Sequence, residues 1–254
     1  MYEAHPVFVQ PDNEHIKVWR YMDFTKLVSL LDSRHLFFTR ADRLEDPFEG
    51  SWPQINVVAR QHIPDDVSPE GREAFAQMMA SIGDISKKWP KYNAINCWHM
   101  NEHESAAMWK LYLKSDEGVA VQSTYHKLRS ALTDDAKIHV GVVKYIDYET
   151  EWIDVGNMLN VLSPFVHKRK SFEHEREVRA VVTKWPVGEK GMDFSQETIS
   201  DGIKIKVDIE RLIERIYVAP SSLGWFADLV RAVVQQYGYD FSVIHSKLSE
   251  QPVF

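Results

Sequence analysis

At 254 residues, with 44% apolar and 26% charged side chains, the chain has ordinary globular proportions and enough bulk for one large domain or two small ones. Its net charge of −7 argues against a general nucleic-acid or membrane-surface binder, and its single cysteine, Cys97, excludes an intramolecular disulfide and a zinc site of several thiolates. No basic stretch followed by an apolar run opens the sequence and no apolar run approaches a membrane span, so a reducing, cytoplasmic setting with no membrane contact is expected.

Residues 1–15 read as an irregular arm broken by Pro6 and Pro11. IKVWRY (16–21) alternates apolar and polar residues and predicts a strand. Asp23 is a fitting N-cap for the short helix that follows, and HLFFT (35–39) predicts a second strand. RADRLEDPFEGSWP reads as an ordered loop, because Pro47 disfavours helix at Asp46. Residues 54–69 are expected as a mixed surface segment and 70–87 as a helix. A short buried strand over 94–99 leads into a helix starting near Asn101 or Glu104, whose Met108, Leu111 and Tyr112 read as core. Strands follow over 117–122 and 137–146, with a helix from about 124 to 132 between them. Residues 154–167 are expected to be helical up to Pro164, and a strand starts at Glu175. After a surface loop over 186–201 come a strand (203–207), a short helix from Asp208, a strand (215–218), a helix closed by Gly238 and a last strand (241–245). No repeat, low-complexity tract or linker interrupts this order. The expectation is one α+β domain over 1–254, a mixed, largely antiparallel sheet with flanking helices.

Three stretches concentrate reactive side chains. The most informative is SFEHEREVRAVV (171–182). In a strand from residue 175, Glu175, Glu177 and Arg179 share one face, while Val178, Ala180 and Val182 enter a core from the other. That makes a floor for a polar site; the plain alternative is a solvated or structurally paired charged face. Asp46-Pro47-Phe48-Glu49-Gly50 is either a turn anchored by Phe48 or a rigid loop that brings Asp46 or Glu49 to a site. Cys97-Trp98-His99 precedes Glu104, Ser105 and Trp109, where the aromatics read most simply as core. Trp19-Arg20-Tyr21 adds a guanidinium suited to a phosphate or carboxylate, or to a structural ion pair. A metal on His99, His103 and Glu104 lacks the spacing of a recognised His-Glu metal helix, and a Cys97/His99 nucleophile is weak because cysteine is usually buried. No Gly-rich phosphate loop and no Gly-x-Ser-x-Gly elbow is present.

Taken together, Arg20-Tyr21, Asp46 to Gly50, Cys97-Trp98, Glu104-Ser105, Met108-Trp109, Tyr112, Gly118 to Val121, and Lys168 with Phe172 through Arg179 resemble a bacterial domain-of-unknown-function family, family 2971. The resemblance covers roughly residues 16–182 and implies kinship without an activity. The opening layout also resembles ADP-ribosyltransferase-type domains: a strand carrying Arg, a helix, a strand ending in a small polar residue, and a later strand bearing Glu. That resemblance implies NAD as substrate, with Glu175 or Glu177 as the catalytic acid. Arg20, Tyr21, Thr39, Phe48 and Arg179 would be cofactor-binding. Arg20 would hold the pyrophosphate, and Tyr21 or Phe48 would stack on nicotinamide. Asp46, Glu49, Trp98, Glu104, Ser105 and Trp109 are the further site candidates. The chain departs from the pattern in lacking a clear Ser-Thr-Ser triplet.

Two other readings compete with this one. A metal-dependent nuclease or phosphoesterase would gather Asp46, Glu49, Glu175 and Glu177 around Mg²⁺. A non-catalytic binding or regulatory module, partner to a toxin or phage-defence protein, would show no perturbed acid in its cleft. A nucleotide ligand follows from the first reading and a protein partner from the last.

Overall fold

The computed structural model of the protein describes residues 1–113, 115–154, 160–189 and 191–252. In chain order its elements are β1 (Lys17–Asp23), α1 (Phe24–Ser33), β2 (His35–Arg40), α2 (Gln54–Gln61), α3 (Pro69–Lys88), β3 (Asn93–Met100), α4 (Ala106–Tyr112), β4 (Gly118–Thr124) and α5 (Tyr125–Ser130). They continue with β5 (His139–Val142), β6 (Lys144–Ile146), β7 (His167–Arg169), β8 (Glu177–Thr183), β9 (Val187–Gly188), β10 (Gly191–Met192) and β11 (Gly202–Lys206). The last are α6 (Ile209–Leu212), β12 (Arg215–Val218), α7 (Gly224–Gln236) and β13 (Ser242–His245).

The first fifth of the chain follows its local signals. The Asp23 carboxylate caps α1 by accepting from the Lys26 amide, and Arg34 ends the helix in the left-handed region at φ 55°. That sharp reversal returns β2 alongside the sheet.

Among the described residues, nine strands form one mixed sheet, antiparallel except where β12 meets β13. Its organising strand is β3. One edge of β3 pairs along its length with β8, which pairs in turn with β5. The other edge is shared. β2 takes the start of β3, with Thr39 opposite Ile95 and Arg40 opposite Ala94, and β1 takes its end, with Trp19 opposite His99 and Val18 opposite Met100. The sheet therefore forks: β2 continues to β11, and β1 continues through β4 to β12 and β13. Side chains close the gap at the fork, where the Asn96 amide donates to the Phe37 carbonyl and the Arg20 guanidinium to the Cys97 carbonyl.

The period of two sorts the strands onto two faces. Ala94, Trp98, Val178, Ala180 and Val182 enter the main core with Leu27, Leu31, Leu128, Leu212, Phe226 and Val230 from α1, α5, α6 and α7. Ile95 and Val181 point the other way, under Phe8, Trp89, Tyr92 and Phe165. Trp98, a site candidate from the sequence, thus belongs to the hydrophobic core, 1% exposed, with its indole N–H given to the Asn96 side chain.

Several expectations are corrected. The segment 54–69 opens with helix α2 rather than mixed surface structure. The single strand expected over 137–146 is two: β5 lies in the main sheet, and β6 pairs with β7 in a separate parallel ribbon. Helix α4 starts beside Glu104 rather than Asn101, with Ser105 as its N-cap. The 186–201 loop contains the β9–β10 hairpin. Of the helix expected over 154–167, 155–159 lie outside the described residues and Ser163–Val166 form one 3₁₀ turn.

The N-terminal arm crosses β5 at Gly141, where a Cβ would stand 2.8 Å from the Phe8 backbone. Gly141→Ala is therefore expected to lift the arm or strain β5 and to destabilise the fold by about 1–3 kcal/mol. Urea unfolding of the variant checks this, and an unchanged midpoint would contradict the close approach.

Candidate active site

The second face of β3 and β8 carries charge at its centre. Cys97 pairs with Arg179 across the ladder, and His99 with Glu177. The face is not solvated: Arg179 is fully buried and Glu177 is 4% exposed. The covering layer is the 46–50 loop, the Ser163–Val166 turn, and the β6–β7 ribbon, which are the chain's means of keeping water from these charges.

Arg179 is saturated. Its two terminal nitrogens grip the Glu49 carboxylate at 2.5 and 2.8 Å, its Nε donates to Glu177 at 2.5 Å, and Nη1 also donates to the Phe165 carbonyl at 3.0 Å. Lys168, from β7, donates to Glu175 at 2.5 Å and to Glu177 at 2.9 Å, and lies 3.9 Å from Glu49. Its ammonium also sits 4.5 Å from the centre of the Phe172 ring. Beside this group, Arg169 pairs with Asp46 at 2.7 Å and lies 4.4 Å from the centre of the Phe48 ring.

Glu175 is not on the strand. It ends a 3₁₀ turn (Lys170–Glu175), and Arg176, in the left-handed region at φ 42°, separates it from β8. Strand alternation therefore does not bring it beside Glu177; this reversal and Lys168 do. The backbone of the reversal is held from two sides: Tyr145 Oη accepts from the Glu177 amide at 2.8 Å, and His99 Nδ1 meets the Glu175 carbonyl at 2.6 Å. Because a carbonyl only accepts, that contact places the proton of the neutral ring on Nδ1. Burial holds the His99 pKa down, and its Nε2, an acceptor in this tautomer, is buried without a partner.

Charge balance explains the two acids. Among the described residues Glu49, Glu175 and Glu177 pair with two cations, Arg179 and Lys168, so full ionisation would leave an excess negative charge in a poorly hydrated space. Burial opposes ionisation of Glu177, but Arg179, the hydrogen bond from Glu175 and Lys168 outweigh it and hold this carboxyl well below the usual range. For Glu175 burial comes first, and the hydrogen bond and charge of Glu177 add to it; together they raise its pKa against the pull of Lys168. The opposed shifts favour a proton shared by the pair, with Glu175, the more accessible of the two, as its preferred place.

Arg20 and Tyr112 extend the group toward the fork. Arg20 is half-buried by surface area, yet its guanidinium is enclosed enough that burial depresses its pKa. It donates to the Cys97 carbonyl at 2.6 Å and has no carboxylate partner among the described residues. Tyr112, expected in the core, is 46% exposed on α4. Its hydroxyl lies within electrostatic reach of Cys97, Glu175, Glu177 and Arg20, so Arg20 and Glu175 serve one region. Cys97 is no nucleophile: burial, then Glu177, push its thiol pKa far up.

The remaining candidates divide. Tyr21 is walled in, 5.0 Å from the Trp109 ring centre and 6.2 Å from that of His99, and its hydroxyl accepts from the Ser105 amide; stacking on a ligand is closed to it. Trp109 is buried and donates to Glu104, so Glu104, Ser105 and Trp109 fasten α4 to β1. Phe48 is 41% exposed and remains available. Thr39 shares the site face through its pairing with Ile95, on the far side of the fork from Trp19. Among the described residues no three His, Cys, Asp or Glu side chains converge as metal ligands. The carboxylates of the Mg²⁺ reading are neutralised by Arg179, Lys168 and Arg169 instead.

Sequence reasoning missed Lys168, Tyr112, His99, Tyr145 and Arg169 as site residues. Lys168 and Tyr112 stood within the resemblance motifs; Tyr145 and Arg169 carried no signal of their own, because only the β6–β7 ribbon delivers them.

No protein-family model matches the chain, so kinship with family 2971 rests on the motifs alone, and no curated protein matches it. Solved structures similar to it include Thermus sp. 2.9 DarT in complex with NAD+, at 9% identity and a TM-score of 0.41, over 94% of this chain and 98% of that one. The same protein in complex with ADP-ribosylated ssDNA is similar at 9% identity and 0.40, over 94% and 97%, and with carba-NAD+ at 8% and 0.39, over 92% and 96%. The likeness is one of chain course, and no residue role is carried over from it. No described helix is long and apolar enough to cross a membrane.

Two outcomes test the charge balance. Arg179→Met leaves buried carboxylates unpaired and is expected to cost about 3–5 kcal/mol in urea unfolding. Glu175 has a folded pKa above its unfolded one, so it withdraws stability as pH rises from the ordinary carboxylate range through its folded value. Glu177 has the opposite sign, and its contribution is lost only as pH falls well below that range. Glu175→Gln copies the neutral carboxyl, so it should gain stability relative to wild type as pH rises from 4.5 to about 8. Parallel stability profiles over that range would rule out a proton held on Glu175.

Proposed function

We propose that the chain is an ADP-ribosyltransferase-type enzyme that takes NAD as substrate at the fork of its sheet. The observation that carries the reading is Arg20, an enclosed guanidinium with no acid partner among the described residues, which acts on the same Tyr112 hydroxyl as Glu175, a part-buried carboxyl whose ionisation is suppressed. Lys168 and Arg179, the deeply buried cations of the site face, by contrast have carboxylate partners among the described residues. A lone enclosed guanidinium suits an anionic ligand, and a pyrophosphate meets its planar donors well.

In this reading Arg20 holds the pyrophosphate and orients NAD, with Thr39 across the fork and Phe48 as the exposed aromatic surface for nicotinamide. Glu175 is the catalytic acid; its accessibility and suppressed ionisation favour it over Glu177. The Glu175 carbonyl oxygen accepts a hydrogen bond from a ribose hydroxyl, while the electron pair of the glycosidic bond leaves with nicotinamide and the incoming nucleophile gives its proton to water. The oxocarbenium-like ribose is then captured by the target nucleophile. Glu177, Arg179, Lys168 and Glu49 are positioning residues that fix Glu175 and supply the low-dielectric surroundings. Kinship with family 2971 and a bacterial, cytoplasmic toxin or phage-defence setting belong to the same proposal. The binding-module alternative requires an unperturbed cleft, and Glu175 speaks against it.

The test is NAD binding and nicotinamide release by wild type, Arg20→Ala, Glu175→Ala and Glu177→Ala. Arg20→Ala is expected to weaken NAD binding by about tenfold or more. Glu175→Ala should slow nicotinamide release about 100-fold or more with folding intact, whereas Glu177→Ala should lower stability first. Wild-type protein that neither binds nor turns over NAD at millimolar concentration would overturn the proposal in favour of the binding module.

A further inference from the structure

A cavity lined by α2 and α3 residues has a volume of about 690 Å³. That is the size of a small-molecule site. Val57, Ile63, Phe75 and Met79 give it an apolar wall, and α3 buries no side chain fully, so the helix pair encloses space rather than a packed core.

One polar group in this wall is unsatisfied. Arg60 lies with its guanidinium carbon 4.1 Å from the centre of the Trp52 ring, and its Nη2 is buried with no hydrogen-bond partner. No carboxylate pairs with Arg60 among the described residues, and burial lowers its pKa. The other charged groups of the wall, Asp84 and Lys87, neutralise each other at 3.1 Å. The cavity therefore presents an apolar body site and one uncompensated cation fixed on an aromatic platform.

We infer that the α2–α3 cavity binds a small organic anion with an apolar body, an alkyl or aryl carboxylate or phosphate, whose head group pairs with Arg60. Desolvated Arg60 donors favour an anion over a neutral alcohol of the same length, and the apolar wall favours a chain or ring over a bare ion. The inference is independent of the NAD reading, since none of these residues belongs to the Glu175–Arg20 group.

Gly83 supplies a clean control. It lines the cavity from within α3, and a Cβ there would meet nothing within 4 Å. Gly83→Leu should fill the space and raise helix propensity at once, so the variant is expected to fold at least as well as wild type. The experiment is calorimetric titration of the full chain with decanoate, decyl phosphate and decanol. Wild type should bind both anions, and their ratio reports which head group fits. Arg60→Met should weaken anion binding about tenfold or more, Gly83→Leu should abolish it, and decanol should bind far more weakly. Anion binding unchanged in Arg60→Met, decanol binding equal to decanoate, binding that survives Gly83→Leu, or no binding at millimolar ligand would each overturn the inference.

Discussion

Arg179 is the group on which the polar half of this protein depends. A guanidinium cannot shed its charge at any ordinary pH, so a fully buried one must be answered by acids and carbonyls. Here the answer comes from three parts of the chain: Glu49 from the DPFEG loop, Glu177 two residues earlier on β8, and the Phe165 carbonyl from a 3₁₀ turn, while Lys168 shares the same carboxylates. Each segment is thereby fixed relative to β3 and β8. A buried ion cluster of this kind is weak evidence for net stability, because its desolvation cost offsets most of the attraction. Its value lies in geometry: few arrangements of the loop, the turn and the ribbon leave no charge unanswered.

The same arithmetic singles out Glu175. Once Glu49 and Glu177 have answered Arg179, the third carboxyl's cation partner among the described residues is Lys168, which is already shared. The surplus is resolved by a proton rather than by another cation. Packing that is otherwise structural thus suppresses the ionisation of Glu175, within electrostatic reach of Tyr112. Two glutamates two residues apart acquire opposite ionisation because one lies on the strand and the other on the turn before it.

Much of this was legible in the sequence. The Asp23 cap, the alternation of IKVWRY and the Val178, Ala180, Val182 face gave the opening elements and the central strand, because those patterns are local. The clustering of Asp46, Phe48, Glu49, Glu177 and Arg179 was also visible as acid- and aromatic-rich motifs. What escaped was long-range. Whether EHEREVR faced water or a covering layer depended on the β6–β7 ribbon, and the ribbon's pairing is not encoded in either three-residue strand. Trp98 and Tyr112 exchanged roles for a similar reason: a strand residue of the main core and an exposed residue of a short helix carry the same aromatic signal until the neighbours are known. Arg176 in the left-handed region gave no warning, since arginine carries none of glycine's bias for that conformation.

The pairing of Arg179 with Glu49 joins residues 130 positions apart, and the two halves of the β3–β8 ladder are separated by four intervening strands and two helices. In folding terms the charge cluster closes a very long loop, and loop closure must precede the reward of contact. Local units such as the β1–α1–β2 opening can form early and independently, whereas the charged face becomes anhydrous only when the last covering segment docks. Recovery of the site therefore marks the completion of folding, and a chain arrested before that step would carry hydrated, ordinarily titrating glutamates where the native protein holds a proton.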